Sequence, residues 1–338
     1  MQRIVLQEPG IFTSEQIELD IPLAPAEALV KVHRVGVCGT DYHAFRGRQP
    51  FFAYPRILGH ELGVEVVTVA ENAAGIKIGD KCAVEPYLNC GTCQPCRQGK
   101  TNCCSNLKVL GVHTDGGLQE YIKVPVTKLH PSATLSFEQL ALVETLGIGA
   151  HAVSRAQVQP TDTVLVIGAG PIGLAVMQFV QIAGARLLVL DVAPNRLEFC
   201  RQHFRVEYTL AGNDTLTELK QILQNDLPTV VFDATGNATS MMQAFNYVAP
   251  GGKLVFVGLF PGEVTFNDPE FHRRELTLLA SRNATSQDFK NIIRQMETGK
   301  INTEAWVSHR CAFPDLPATF ATWLHPESQV IKAMVALT

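Results

Sequence analysis

The segment that most restricts the fold is "TVLVIGAGPIGLAVMQF", where an apolar run ends at Ile167 and passes through Gly168-Ala169-Gly170-Pro171-Ile172-Gly173 into a helical run. In this G-x-G-x-x-G order the first glycine permits a tight turn, the second lets backbone approach a pyrophosphate, and the third lets helix pack on strand. The helix N-terminus then presents free N–H groups and a positive dipole end to the phosphates. Pro171 suits the first turn, where its missing N–H would be unsatisfied anyway. Gly-rich turns also occur without a ligand, but here a second strand, "RLLVL", ends at Asp191. A carboxylate there can accept both ribose hydroxyls and repel a 2′-phosphate, which favours NAD over NADP.

The same texture runs from 161 to 281. Strands "TVLVI", "RLLVL", "TVVF", "KLVFV" and "LTLLA", with "EYTL" as a weaker sixth, alternate with helical segments. Continuously apolar strands separated by helices predict a parallel sheet covered on both faces. Arg196 is placed to stack on adenine, or is a solvated helix-face arginine. Val257, Gly258 and Ser281 follow later strands, at the carboxyl edge where such a sheet binds ligands, and are assigned to the cofactor; Asp233 and Gly236 share that edge, with Asp233 equally a cap or turn residue. Residues 1 to 147 read differently, with short apolar runs such as "ALVKVHRVGV" broken by Gly and Pro, as expected of irregular β structure. From about 285 follow a helix, "SQDFKNIIRQMETGK", and a strand, "IKAMVAL", which could close either half.

At 338 residues the chain is long enough for about two domains, at roughly 150 residues each. A net charge of −4 gives no electrostatic footprint for nucleic acid or an anionic membrane. The most apolar region, 164 to 182, is interrupted by Gly, Pro and Gln and is too short to span a bilayer, and the amino terminus lacks a signal-peptide core. These features predict a cytoplasmic protein, in which clustered thiols bind metal more often than they form disulfides.

Five of the nine cysteines fall in "CGTCQPCRQGKTNCC". Cys90, Cys93, Cys96 and Cys104 form C-x2-C-x2-C-x7-C, and four thiolates fill a tetrahedral zinc shell with no vacancy, so this site reads as structural. Cys103 is left over and could swap with Cys104 as ligand, with an unligated buried thiol as its default reading. A catalytic zinc needs an open position. Its candidate ligands stand elsewhere: Cys38 in "GVCGTDYH", His60 and Glu61 in "GHELGVE", and Glu144 in the apolar run "LALVETLGIGAHAV". Neighbours on a strand face opposite ways, so His60 and Glu61 can both ligate only if the backbone turns there. A buried carboxylate at Glu144 wants a metal or a cation. Singly, each has a bland reading as a core or surface residue; together, beside a nucleotide fold, they favour zinc. Thr40 and His43 follow Cys38 closely, and a hydroxyl and an imidazole there can carry a proton outward.

In order along the chain, "GVCGTDYH", "GHE", the four-cysteine lobe, "GVHTDGGLQEY" and "VLVIGAGPIG" resemble the zinc-dependent medium-chain alcohol dehydrogenases, in the sorbitol and threonine dehydrogenase branch. The resemblance covers nearly the whole chain. It implies an α/β protein with a GroES-like β-rich catalytic domain, 1–147 and 286–338, carrying a structural zinc lobe at 88–106, and a Rossmann doubly wound parallel-sheet domain, 148–285, that binds NAD. It implies two zinc ions per chain, the catalytic one on Cys38, His60 and Glu61 with Glu144 direct or through water. Where the classical alcohol dehydrogenases have cysteine this chain has Glu144, which leaves the third ligand open between Glu61 and Glu144. Thr40 and His43 match the family's proton relay, and Ile172, Asp191 and Arg196 its NAD contacts. A homodimer or homotetramer is implied. Within the branch, "QPFFAYPRILGHE" and "DPEFHRRELTLLASRNAT" resemble bacterial hexonate 5-dehydrogenases acting on L-galactonate or L-gulonate. A sugar-acid carboxylate then needs a cation, for which Arg46, Arg48 and Arg273 are candidates. Tyr42, Phe52 and His113 either line the pocket or belong to the core.

Other readings are a sorbitol- or L-threonine-type dehydrogenase, a zinc-ribbon nucleic-acid binder and a zinc-independent reductase. The ribbon leaves Gly168 to Asp191 idle and lacks a basic face, and the reductase has no need of Cys38, His60 and the lobe. Metal analysis of the purified protein separates them: two zinc per chain are expected for the dehydrogenase, one for the ribbon and none for the reductase.

Overall fold

The structure is a computed structural model that describes residues 1–19, 22–49 and 52–337, so Pro50 and Phe51 of "QPFFAYPRILGHE" lie outside the described residues. The chain divides into two compact units, Met1–Glu144 with Ala284–Thr338, and Thr145–Asn283.

The second unit holds a six-stranded sheet ordered Tyr208–Leu210, Arg186–Leu190, Thr163–Ile167, Val230–Asp233, Lys253–Phe256, Thr277–Ala280. Every neighbouring pair is parallel. Numbered along the chain, the order is 3-2-1-4-5-6, the doubly wound arrangement whose strand order reverses beside the first strand. Val164, Leu165 and Val166 of that strand are fully buried, as a strand covered on both faces must be. The glycine turn follows it at the carboxyl edge, and the helix Pro171–Ile182 packs back on the sheet. That packing requires Gly173, because a Cβ there would lie 1.7 Å from the Gly168 carbonyl oxygen. One strand departs from the expectation of two covered faces. Thr277–Ala280 is as apolar as its neighbours yet largely exposed, with Leu278 at 38%. It is the sheet's edge, and an apolar run does not reveal how many neighbours a strand has.

The first unit is organised by its longest strand, Glu27–Val37. On one side this strand pairs antiparallel with Glu61–Val69. On the other it pairs with Tyr121–Pro125 along its first half and with Lys332–Ala336 along its last residues. The tail of the chain therefore completes this sheet. Lys81–Val84 and Leu129–Pro131 extend it beyond Glu61–Val69, and Val307–Ala312 lies parallel to Lys332–Ala336 at the other end. Val30, Val32, Val35, Leu62, Val64 and, from the tail, Phe320 meet in one core.

Ser286–Glu297 begins with a capping box, Thr285 accepting from the first turn while Asp288 accepts from the Thr285 N–H at 2.8 Å. It buries Phe289, Ile292, Ile293 and Met296, the i, i+3, i+4, i+7 stripe of an amphipathic helix, each contributing about 1.5–3 kcal/mol of burial. The helix Phe137–Ala156 carries Leu140, Leu142, Leu146 and Glu144 among its buried residues. Among the described residues, no helix is long and apolar enough to cross a membrane.

Candidate active site

Three strand ends and one loop build the first cluster. Glu27–Val37 ends at Cys38, which becomes the N-cap of the helix Gly39–Phe45; the Cys38 N–H donates to the Asp41 carboxylate at 2.8 Å, fixing the backbone from which the thiol projects. His60 lies just before Glu61–Val69, outside the regular strand. Gly59 precedes it with φ +95°, a conformation that favours glycine. The loop bearing Gly116 and Gly117 braces this turn: Gly116, Gly117 and Leu118 N–H groups donate to the Ile57, Gly59 and Leu58 carbonyls at 2.8, 2.8 and 3.0 Å. A Cβ on Gly116 would sit 2.2 Å from the Gly59 oxygen, so backbone meets backbone here. The turn lets His60 and Glu61, neighbours in sequence, reach one site despite strand alternation.

Glu61 is held by register. It lies opposite Gly36, and Gly36 lies opposite Met334 on the last strand, so Glu61 and Lys332 share a face with only glycine between them. The Lys332 ammonium forms an ion pair with the Glu61 carboxylate, and each residue is 1% exposed. A Cβ at Gly36 would lie 2.1 Å from Glu61 Oε2. The ligand atoms of Cys38, His60 and Glu61 all fall within 4.8 Å of one another. Glu144 is buried but does not join that trio; its Oε1 accepts a hydrogen bond from the buried Tyr87 hydroxyl.

The electrostatics of this cluster call for a cation. Burial pushes the Asp41 and Glu144 carboxyls and the Tyr87 phenol upward. On His60 burial acts downward, but the charges of Cys38 and Asp41 outweigh it and hold the imidazole well above its ordinary value. His60 Nδ1 is buried without a hydrogen-bond partner among the described residues, 3.9 Å from Asp41 Oδ1. Sulfur, nitrogen and carboxylate donors at mutual ligand distance, with surplus negative charge, fit zinc.

Thr40 and His43 lie one turn apart on Gly39–Phe45 and so share a face. Partial burial, then the Arg46 and Arg48 charges, lower the His43 pKa, so the ring is neutral at pH 7 and can take up a proton. Arg46 donates to the Leu324 carbonyl at 3.1 Å, and Arg273 pairs with Glu270 at 2.8 Å. Tyr42 and Phe52 pack against the first unit's core, and His113 Nδ1 accepts the Val109 N–H at 3.1 Å within its own loop.

The four-cysteine lobe forms a second cluster. Cys90, Cys93, Cys96 and Cys104 have all their sulfurs within 4.8 Å, with Cys93 and Cys90 at 3.7 and 3.5 Å from Cys104. Four Zn–S bonds of about 2.3 Å in a tetrahedron require S···S separations of about 3.8 Å, so the donors fit a closed zinc site. Cys103 corrects the expectation of a buried thiol: it is exposed on the turn Thr101–Cys103, while its neighbour Cys104 points inward.

In the second unit the glycine turn has room for a phosphate. A Cβ on Gly170 would meet only Arg196 Nη1, at 3.6 Å, and Gly170 is the N-cap of Pro171–Ile182. Asp191 is buried, accepting from the Ala169 and Ala193 N–H groups at 2.6 and 2.8 Å, which brings its charge to the same turn as Ile172. Gly236 and Gly258 face each other, a Cβ on Gly258 falling 2.2 Å from the Gly236 nitrogen, with Val257 beside them half-buried. The Ser281 hydroxyl is buried without a hydrogen-bond partner among the described residues. Asp233 is a turn residue, accepting from Thr235 N–H at 2.9 Å and from the Ser240 hydroxyl at 2.5 Å.

Lys332, Asp41 and Tyr87 escape the sequence reading. For Lys332 a signal exists: a lysine inside the apolar strand "IKAMVAL" needs a buried acid, as Glu144 inside its apolar run needs a partner. Nothing local marks Tyr87.

Residues 24–134 match the family model described as alcohol dehydrogenase GroES-like domain, and residues 171–298 match that described as zinc-binding dehydrogenase. The chain is 42% identical over 338 residues to L-galactonate-5-dehydrogenase of Escherichia coli K12, covering 99% of this chain and 98% of that one. It is 31% identical over 318 residues to sorbitol dehydrogenase of Bacillus subtilis 168, covering 91% and 90%. Among solved structures, a protein described as the short-chain alcohol dehydrogenase RspB from E. coli CFT073, complexed with NADH, aligns at TM-score 0.92 and 28% identity over 100% of this chain and 99% of that one.

The row Glu61–Gly36–Lys332 generates a direct test. Gly36→Ala should displace the Glu61 carboxylate, lower stability by about 1–3 kcal/mol as overpacking does, and reduce bound zinc from two per chain to one. Denaturant midpoints and metal analysis check both effects.

Proposed function

This chain belongs to the zinc-type medium-chain alcohol dehydrogenase family, and on that premise we propose that it oxidises a secondary hydroxyl of a polyol or sugar acid with NAD, L-galactonate and L-gulonate being the favoured substrates. The observation that carries the reading is the buried trio Cys38, His60 and Glu61, three donors of mixed type standing apart from a closed four-cysteine site. Full-length similarity to L-galactonate-5-dehydrogenase supports the sugar acid, and similarity to sorbitol dehydrogenase supports the wider polyol class.

Zinc, when bound by the trio, supplies Lewis acidity that lowers the pKa of a substrate hydroxyl. NAD, when bound on the Gly168 to Gly173 turn, supplies the hydride acceptor. The chain's own groups do the rest. Thr40 takes the hydroxyl proton and the neutral His43 ring carries it toward solvent. Lys332 pairs with Glu61 and fixes its carboxylate, and the Tyr87 hydroxyl holds Glu144, which would bind the zinc directly or through water. Asp191 selects NAD by repelling a 2′-phosphate, Arg196 borders the pyrophosphate turn, and Val257, Gly258 and Ser281 line the carboxyl edge beyond it.

Of the three candidate arginines, Arg46 and Arg273 already have partners, so Arg48 is assigned to the sugar-acid carboxylate. We place the protein in the cytoplasm, where its nine cysteines, none in a disulfide, stay reduced, and as a homodimer or homotetramer.

A screen of L-galactonate, L-gulonate, hexitols, L-threonine and simple secondary alcohols with NAD and NADP tests the proposal. The highest kcat/KM is expected on a hexonate with NAD. Arg48→Met should lower kcat/KM on hexonates by about 10- to 100-fold, the worth of a charged hydrogen bond, and leave hexitols unchanged. Activity confined to simple alcohols would overturn the sugar-acid assignment.

A further inference from the structure

The four-cysteine lobe has little apolar surface with which to hold itself in place. Its helix Gln94–Arg97 contains no buried residue, Cys90 is exposed, and Cys93 and Cys96 are only half-buried. A short ladder, Tyr87–Leu88 against Lys108–Val109, forms its stem, and Asn89 is the first residue beyond it. Beneath the stem lies a charged network that the proposed reaction does not use. Glu85 is fully buried, its carboxylate paired with Lys128 and hydrogen-bonded to His130 Nε2 at 3.1 Å and to the Ser286 hydroxyl at 2.5 Å. Its backbone N–H donates to the Lys128 carbonyl at 2.8 Å. A buried ion pair is tolerable only when its remaining valences are filled. The Lys128 ammonium fills one of its own by donating to Asn89 Oδ1 at 2.8 Å.

That bond fixes the Asn89 amide, because an ammonium has no acceptor and can meet only the oxygen end. The NH2 end then faces the lobe, where Nδ2 donates to Cys96 Sγ at 3.7 Å. Other sulfurs of the cluster draw donors from the lobe itself: Cys90 from the Cys93 N–H at 3.4 Å and the Thr92 hydroxyl at 3.6 Å, Cys104 from the Cys90 and Asn106 N–H groups at 3.3 and 3.4 Å. Cys96 also takes the Gly91 N–H from within the lobe, but its side-chain amide donor comes from below.

We propose that Asn89, oriented by the buried Glu85–Lys128 pair, is a positioning residue for the four-cysteine zinc site, donating to the Cys96 sulfur and tying the lobe to the core of the first unit. The inference concerns the closed site alone and stands whether or not the substrate is a sugar acid. Four thiolates on one zinc leave net negative charge on the sulfurs, and N–H donors lessen it. Removing such an outer partner typically weakens metal binding 10- to 100-fold.

The test uses the metal-loaded full chain, with zinc and with cobalt substituted at the four-cysteine site. Asn89→Asp keeps a partner for Lys128 but offers Cys96 no N–H, and Asn89→Ala removes both contacts. Each should speed release of that metal to a chelator by about tenfold or more and shift the thiolate-to-cobalt charge-transfer band, with zinc release from the Cys38 trio unchanged. Lys128→Met should act in the same direction by freeing the amide. Wild-type release rates and an unshifted band in both Asn89 variants would overturn the proposal, and that result is independent of the substrate screen.

Discussion

The buried pair of Glu61 and Lys332 is the interaction on which the rest of the first unit's site depends. An acid and a lysine, each almost wholly buried, are stable only together; removing one partner of such a pair costs about 3–5 kcal/mol because the other is left as an uncompensated charge. The pair forms across Gly36, so the sheet must hold Glu61–Val69, Glu27–Val37 and Lys332–Ala336 in one register before the two charges meet. That register also delivers Cys38 to the end of the central strand. A site assembled from residues 38, 60 and 61 is thus completed by strand 332–336, close to the far end of the chain.

Two clusters of metal-ligating residues share this unit and solve different problems. The four-cysteine lobe uses close sequence spacing and lobe N–H donors, and its four sulfurs would saturate the tetrahedral shell of a zinc ion. The trio uses residues delivered by separate strand ends, braced by backbone-to-backbone packing at Gly59 and Gly116 and by the Asp41 cap on Cys38. A zinc ion held by these three donors would keep a position for a substrate oxygen, and the surrounding acids make a divalent ion electrostatically welcome. In the second unit the same economy of glycine serves an anion: the turn after Ile167 gives up side chains where the helix N-terminus must approach phosphate.

Much of this was legible because its determinants are local. The Gly168 to Gly173 turn, the alternating strands and the C-x2-C-x2-C-x7-C spacing each state their geometry within a few residues, and the family resemblance joined them into one architecture. The trio was legible as residue types, but His60 and Glu61 could be placed at one site only if the backbone turned, and that turn is imposed by a loop more than fifty residues away in sequence. Lys332 and Tyr87 act across still longer separations. The exposed strand Thr277–Ala280 shows a further limit: hydrophobic pattern reports that a strand belongs to a sheet, not whether it stands at the edge.

The proposed function places the chemistry at Cys38, His60 and Glu61 and not at the cysteine lobe. Stepwise chelation of the zinc-loaded enzyme, with cysteine alkylation mapped by mass spectrometry and NADH formation followed in parallel, addresses it most directly. Turnover should fall in step with Cys38 becoming alkylatable, while Cys90, Cys93, Cys96 and Cys104 are still protected. Turnover that persists after Cys38 is fully exposed to reagent and its zinc is gone would contradict the account.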